Sequence, residues 1–304
     1  MCGVCCECTL TGMSTATAPA PSLADKLQAN AAYPGFAPQP IAGVTGVTAG
    51  QHGLTTSELE HFYATGWVLC KGLFSAARIA ELGREIDGLH ESCARSETLG
   101  AHVAWEDEMD PAKPKRIRQL MGSEMVSPVI DAMSRSDEML SIMRQVIGPD
   151  VSLFHSKLMM KAARDGSFTP WHQDFQYWQF ESKLPTQVNC MLFVDGSDLE
   201  NGCLRMMDGS QRKGLLPIHH LKSSSFNIGL EGSLDDFPST PIPTQPGDAI
   251  FFGAYVIHGS GPNGSDRQRR ANTFAFDRPS NVKADGQSLP LRHHRCGQAD
   301  PLSA

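Results

Sequence analysis

Beyond Pro149 the sequence breaks into short apolar runs separated by Gly, Pro, Asn and Asp. Runs of this length match single β-strands, and turn-forming residues at this spacing are typical of all-β sandwiches and barrels. The runs are VSLFHSKLMMK, TQVNCMLFVDG, GCLRMMDGS, PGDAIFFGAYVIHGSG and RRANTFAFDRP. The carboxyl-terminal half of the chain is therefore predicted to fold into strands.

The segment before that point has the spacing of apolar residues expected of helices. Thr55 or Thr56 can cap a short helix that ends at Gly66, with WVLCKGLF following as a strand. A second amphipathic helix is predicted over residues 75–91, and SEMVSPVIDAMSRSDEMLSIMRQVIG indicates two more. Helices in front of short strands predict one α+β domain over residues 54–304.

Residues 1–53 have few large apolar side chains and many Ala, Pro, Gly, Ser and Thr residues. Such a composition buries too little surface to offset chain entropy, so this segment is predicted to be a flexible arm. CGVCCEC has CxxC spacing, but a zinc site needs a second pair at a suitable distance. We expect no structural metal in the arm.

The charge of the chain limits its partners. A formal net charge of −7 without a basic cluster argues against nucleic acids and anionic membranes. The sequence has neither an apolar window of about eighteen residues nor a secretion signal. We therefore expect a soluble cytoplasmic protein, a monomer or a homodimer, that acts on a small molecule.

The segment TPWHQDFQYW places His172 two residues before Asp174. Side chains at this spacing share a face only in an extended strand, since on a helix they lie about 200° apart. Pro170 and the aromatic residues favour the extended state. Taken alone, the pair favours a solvated strand over a metal site.

A second segment favours the metal site over the solvated strand. PGDAIFFGAYVIHGSG runs from a turn through an apolar strand to His258, directly before a Gly-rich loop. Two histidines and one carboxylate match the facial triad of non-haem iron(II) oxygenases, which leaves coordination positions open. Open positions indicate a catalytic metal rather than a structural one.

A basic residue follows His258 at a spacing that a hairpin can span. Arg269 lies 11 residues after His258, in the next predicted strand, so a hairpin can return its guanidinium toward the metal. The planar guanidinium suits a carboxylate, and Ser260 can bind the same group. Because Arg267 and Arg270 flank it, the alternative for Arg269 is a surface charge.

These segments resemble the phytanoyl-CoA dioxygenase superfamily of iron(II)- and 2-oxoglutarate-dependent oxygenases. The resemblance covers about residues 54–278 and rests on segments in the family's order. They are ELEHFYATGWVLCKGLF, HSKLMMK, WHQDFQYW, NGCLRMMDGSQRKGLL, PGDAIFFGAYVIHGSGPN and RQRRA. It implies an α+β fold, a double-stranded β-helix (a jelly-roll or cupin-like barrel) with amino-terminal flanking helices.

The resemblance also implies the site. It makes His172, Asp174 and His258 the ligands of catalytic iron(II), with O2 as the oxidant. It makes Arg269 the anchor of the cosubstrate 2-oxoglutarate. The aromatic segment is especially similar to that of ectoine hydroxylases. That similarity implies two further cosubstrate contacts, Ser260 and Trp178, and Lys157 lies on a strand that often faces the cosubstrate or the substrate.

The implied activity is hydroxylation of a C–H bond in a small molecule, with release of succinate and CO2. The substrate would be an amino acid, an osmolyte-like compound or a biosynthetic intermediate. In related halogenases a small residue replaces the carboxylate, so Asp174 favours hydroxylation. Two alternatives stay open: a cupin-like zinc-dependent isomerase or hydrolase, and a non-catalytic small-molecule-binding barrel. Residues 97–122 could form a lid or a plain loop.

Overall fold

The computed structural model describes residues 53–95, 103–106, 115–220, 228–231, 234, 238–283, 285–287 and 294–295. Of the predicted arm at residues 1–53, only Gly53 lies inside these ranges, and its flexibility stays a prediction. Much of the candidate lid or loop at residues 97–122 lies outside the described residues as well, but Val103–Trp105 and Ile117–Met121 are strands of a sheet, so the expectation of an irregular segment was wrong for these parts.

The longer helices lie in the amino-terminal half of the described chain, as predicted, with three short strands between them. The helices of this half are α1 (Thr56–Thr65), α2 (Ala76–Arg95), α3 (Ser123–Val126), α4 (Pro128–Ser134) and α5 (Asp137–Val146). Thr55 caps α1 through a capping box with Glu58, and Gly66 ends it in the left-handed conformation. The prediction of two helices between residues 123 and 148 was wrong, because Ser127 caps a new helix with Pro128 in its first turn.

The larger sheet forms one wall of the fold. Its strands are β1 (Trp67–Cys70), β2 (Val103–Trp105), β3 (Ile117–Met121), β4 (Val151–Lys161), β6 (Val188–Phe193), β11 (Ala249–Gly253), β13 (Arg269–Asp277) and β14 (His294–Arg295). Their order is β1-β11-β6-β13-β4-β3-β2, with β14 also on β4, and each pairing is antiparallel.

The smaller sheet forms the facing wall. Its strands, in the order β10-β7-β12-β5, are β10 (Ser239–Ile242), β7 (Leu204–Met207), β12 (His258–Ser260) and β5 (Thr169–His172). A separate hairpin pairs β8 (Ile218–His220) with β9 (Ile228–Leu230). The stretch AIFFGAYVIHGS, predicted to be one strand, is therefore two, and β11 and β12 belong to different sheets.

Apolar side chains fill the space between the sheets and the space behind the larger one. Phe193 and Phe252 of the larger sheet pack with Leu204 and Met206 of the smaller sheet. The opposite face of the larger sheet packs against α2, α4 and α5. Two facing antiparallel sheets with flanking helices form the predicted double-stranded β-helix.

No helix in the described ranges is long and apolar enough to cross a membrane.

Candidate active site

The three predicted metal ligands meet between the sheets. Their ligating atoms all lie within 4.8 Å of one another, and all three residues are buried. The Nε2 atoms of His172 and His258 are each 3.6 Å from one of the two Asp174 carboxylate oxygens. In the described part of the chain, this is the one cluster of metal-binding side chains.

The backbone conformation that brings Asp174 into this cluster differs from the one predicted from the sequence. Strand β5 ends at His172, and Asp174 has helical backbone angles, φ −61° and ψ −34°. Helix α6 (Phe175–Trp178) follows, and the Phe175 amide donates to the Ala254 carbonyl at 3.1 Å. The expectation of an extended segment through residue 178 was wrong, because this contact and the helical turn override the strand preference of the aromatic residues.

Backbone carbonyls hold both histidine rings. Nδ1 of His172 bonds to the Pro170 carbonyl at 2.8 Å, and Nδ1 of His258 bonds to the Val256 carbonyl at 2.9 Å. A carbonyl can only accept, so each Nδ1 carries the proton and each Nε2 presents a lone pair. This is the tautomer that a metal needs.

Two amides near the ligands were not predicted. Asn189 of β6 donates Nδ2 to the Asp174 carboxylate at 2.5 Å. Gln173, which is fully buried, donates to the Tyr255 carbonyl at 2.7 Å and so ties the segment carrying His172 to the loop before His258. A polar residue inside an apolar strand such as VNCMLF is the signal that could have revealed Asn189.

The electrostatics keep the ligands in the states that bind a metal. Burial alone would raise the pKa of Asp174, but the nearby His258, His172 and Lys157 lower it below its ordinary range. Burial, together with the charge of His172, lowers the pKa of His258 to about 4. Asp174 is therefore ionised and His258 neutral near pH 7.

Arg269 lies on β13 with 2% of its surface exposed, so the alternative of a surface charge was wrong. Its Nε and Nη1 atoms have no hydrogen-bond partner within the described ranges, and the guanidinium lies 5.8 Å from the Phe193 ring centre. Burial lowers the pKa of Arg269 to about 10, so the group stays charged at neutral pH. A buried cation without a partner indicates an anionic ligand.

The other predicted contacts divide into two groups. Ser260 and Lys157 line the same cavity as Arg269 and the three metal ligands. Trp178 is buried but is not among the residues that line it. Its ring packs 5.4 Å from His155 and 5.6 Å from Phe154, between centroids.

Known proteins share this fold and sequence pattern. Ectoine dioxygenase from Bordetella parapertussis is 24% identical over 236 residues, covering 73% of this chain and 74% of that protein. L-proline trans-4-hydroxylase from Streptomyces griseoviridis is 27% identical over 187 residues, covering 55% and 70%.

Solved structures agree on the fold. EctD from S. alaskensis with 2-oxoglutarate and 5-hydroxyectoine gives a TM-score of 0.64 at 18% identity, covering 80% of this chain and 82% of that one. EctD with bound Fe gives 0.65 at 19% identity, covering 80% and 83%. The family model of phytanoyl-CoA dioxygenase matches residues 62–271. The chain therefore belongs to the phytanoyl-CoA dioxygenase family and is an oxygenase.

Proposed function

We propose that the protein is an iron(II)- and 2-oxoglutarate-dependent hydroxylase of a small molecule. The observation that carries this proposal is Arg269, a buried cation in the cavity of a buried His-Asp-His cluster, whose Nε and Nη1 atoms have no hydrogen-bond partner among the described residues. The donor set suits iron(II), and the guanidinium suits the dicarboxylate cosubstrate. Two relatives are named a dioxygenase and a hydroxylase, which supports the same reaction class.

Each residue has a specific task in this proposal. His172, Asp174 and His258 hold the metal, and their fixed tautomers and charge keep them ready for it. Arg269 and Ser260 hold the distal carboxylate of 2-oxoglutarate. When bound, iron(II) and 2-oxoglutarate supply the oxygen activation, with succinate and CO2 as the accompanying products. The enclosing sheets exclude water and aim the substrate.

The two alternatives fit the site less well. A zinc-dependent isomerase or hydrolase could use the same three ligands, but it has no need for a buried cation at Arg269. A non-catalytic barrel has no need for a complete ligand set with oriented histidines. Metal content alone does not separate these functions, since zinc binds such ligands tightly as well.

The direct test is succinate formation from 2-oxoglutarate by anaerobically purified protein given iron(II), O2 and pools of metabolites. We expect iron-dependent succinate from the wild type and none from His172→Ala, Asp174→Ala or His258→Ala. His219→Ala, which alters an exposed histidine on β8, is the matched control and should keep full activity. Wild-type turnover in Asp174→Ala would refute the ligand assignment.

A binding measurement makes the test independent of turnover. Iron(II) at about 100 times its Kd should stabilise the wild type by about 2.7 kcal/mol, and the melting temperature of Asp174→Ala should not respond. An equal response of wild type and variant would place the metal elsewhere.

A further inference from the structure

Asn189 is a polar side chain in a strand that is otherwise apolar. It lies on β6, whose sequence is VNCMLF and whose residues are all buried. Asparagine is depleted in strands, and burying its amide is tolerated only where hydrogen bonds replace those made with water. An asparagine at this position therefore needs a specific partner.

That partner is the carboxylate of a proposed metal ligand. Nδ2 of Asn189 donates to Oδ2 of Asp174 at 2.5 Å, and the two residues have 0% and 4% of their surfaces exposed. Oδ1 of Asn189 has no hydrogen-bond partner among the described residues. A buried amide whose oxygen is unpaired costs folding free energy, so stability alone does not account for Asn189. Its contact with Asp174 indicates a role in the metal site.

The amide has a fixed position because β6 is a central strand of the larger sheet. Asn189 is aligned with Phe252 of β11 on one side and with Ala275 of β13 on the other. Met191, two residues further along β6 and thus on the same face, lines the cavity of the metal ligands together with Phe252. Asn189 therefore reaches Asp174 from the larger sheet and cannot follow the carboxylate if it turns.

The two carboxylate oxygens of Asp174 have different surroundings. Oδ1 is 3.6 Å from Nε2 of His172, and Oδ2 is 3.6 Å from Nε2 of His258, so both oxygens lie near the place where a metal would bind. Both Nε2 atoms present a lone pair, because each Nδ1 carries the proton. Asn189 donates to Oδ2. If both oxygens turned to the metal, this buried hydrogen bond to a charged group would be lost.

We propose that Asn189 is a positioning residue that holds Oδ2 of Asp174 out of the coordination sphere, so that Asp174 binds the metal through Oδ1 alone. This inference rests on the metal site of the proposed function and adds a residue that acts through a ligand. A carboxylate that binds through one oxygen takes one coordination position, whereas a chelating carboxylate takes two. Asn189 thereby keeps a position open for the cosubstrate or O2.

The test loads the full-length protein with manganese(II), an ion of octahedral sites whose bound waters are counted by water-proton relaxation. An octahedral ion held by His172, His258 and one oxygen of Asp174 has about three positions left for water, whereas a chelating Asp174 leaves about two. Asn189→Leu removes the donor at similar volume, so the relaxivity of the bound ion should fall by about one third. Asn189→Gln, which keeps an amide donor, should lie closer to the wild type.

Asn272→Leu is the matched control. Asn272 is a fully buried asparagine of β13 in the same sheet, and its Oδ1 accepts a hydrogen bond from Ser123 Oγ at 2.8 Å. Because this hydrogen bond does not involve a metal ligand, Asn272→Leu should unfold at lower urea concentration than the wild type but keep the relaxivity of bound manganese(II). A purely structural role of Asn189 would make the two leucine variants behave alike.

The wild type provides a test that needs no variant. The field dependence of the relaxation gives the number of bound waters, and a count of about two in the wild type would mean that Asp174 already chelates, which would overturn the proposal. Wild-type relaxivity in Asn189→Leu, or an equal loss in Asn272→Leu, would overturn it as well. If Asn189→Leu does not fold, Asn189→Val, a smaller strand-favouring residue without a donor, is judged by the same criterion.

A different result would contradict the metal site itself. If the wild type bound no manganese(II), or if Asp174→Ala bound it equally well, the ligand assignment would be wrong, and with it the proposed function.

Discussion

At the scale of single residues, the site gathers buried polar and charged groups in one cavity. The Nε2 atoms of His172 and His258 each lie 3.6 Å from a carboxylate oxygen of Asp174, and Nε and Nη1 of Arg269 have no hydrogen-bond partner among the described residues. Each arrangement costs folding free energy that a ligand recovers. Binding sites differ from structural polar clusters in this respect.

Arg269 allows a sharp test of that view. Replacing it with Met in the Arg269→Met variant should raise the KM for 2-oxoglutarate at least about 100-fold, because a charge-assisted double hydrogen bond is lost. The variant should unfold no more easily than the wild type, since a buried unpaired charge is replaced by an apolar side chain. Steady-state kinetics and urea denaturation measure the two effects.

The neighbouring Arg270 is the matched control. It points to the other face of β13 and pairs with Asp195 and Asp87, each at 2.9 Å. Arg270→Met should therefore lower the free energy of unfolding by about 1–3 kcal/mol and leave the KM unchanged. An unchanged KM in Arg269→Met would remove the cosubstrate anchor from the proposal.

At the scale of elements, the end of helix α1 packs against the residue that holds a proposed metal ligand. Gly66 ends α1 with φ +90°, and a Cβ there would lie 2.5 Å from Val256 Cγ2 and 2.6 Å from Gln211 Oε1. Val256 is also the residue whose carbonyl holds the His258 ring. The packing that joins α1 to the barrel therefore bears directly on the orientation of a ligand.

Gly66→Ala should lower the free energy of unfolding by about 2–4 kcal/mol, from left-handed strain plus overpacking, and should weaken metal binding. Gly72→Ala is the comparison, because Gly72 also has positive φ, +59°, but has nothing within 4 Å of a Cβ. It should cost about 1–2 kcal/mol and leave metal affinity intact. Denaturant unfolding and metal titration compare the pair, and equal effects would argue against the coupling.

The elements also show which structural features could be predicted from the sequence and which could not. The strand carrying Lys157 and the capped helix at Thr55 were predictable, because periodicity and capping are local signals. The helical turn at Asp174 was not, since a contact with the loop at Ala254 decides it. Asn189 was missed for a related reason: its link to Asp174 depends on which strands are neighbours, and local patterns do not encode sheet order.

At the scale of the whole molecule, a buried carboxylate makes stability depend on pH. Asp277 ends β13, accepts hydrogen bonds from Thr186, Gln187 and Asn281, and is 2% exposed. Burial raises its pKa to about 6, against the opposing effect of those hydrogen bonds. The hydrogen bonds of Asp277 join the end of β13 to the residues just before β6 and to Asn281 after β13.

The sign of the effect follows from proton counting. The unfolded chain releases the Asp277 proton near pH 4 and the folded chain near pH 6, so between these values the folded state binds more protons. Stability should therefore fall as pH rises through this window, by about 2–3 kcal/mol. In urea unfolding measured from pH 4 to 7, Asp277→Asn should remove this fall in the free energy of unfolding, whereas the exposed Asp266→Asn should not. If Asp277→Asn lost as much stability over this pH range as the wild type, the assignment would be contradicted.

The proposed metal ligands and the proposed cosubstrate contacts are divided between the two walls of the barrel. His172, Asp174, His258 and Ser260 come from the smaller sheet and the turn after β5, whereas Arg269 and Lys157 come from the larger one. A chain whose two sheets have not yet come together would have the proposed metal ligands without Arg269. In the proposed enzyme, the grip on 2-oxoglutarate is therefore complete only in the closed barrel.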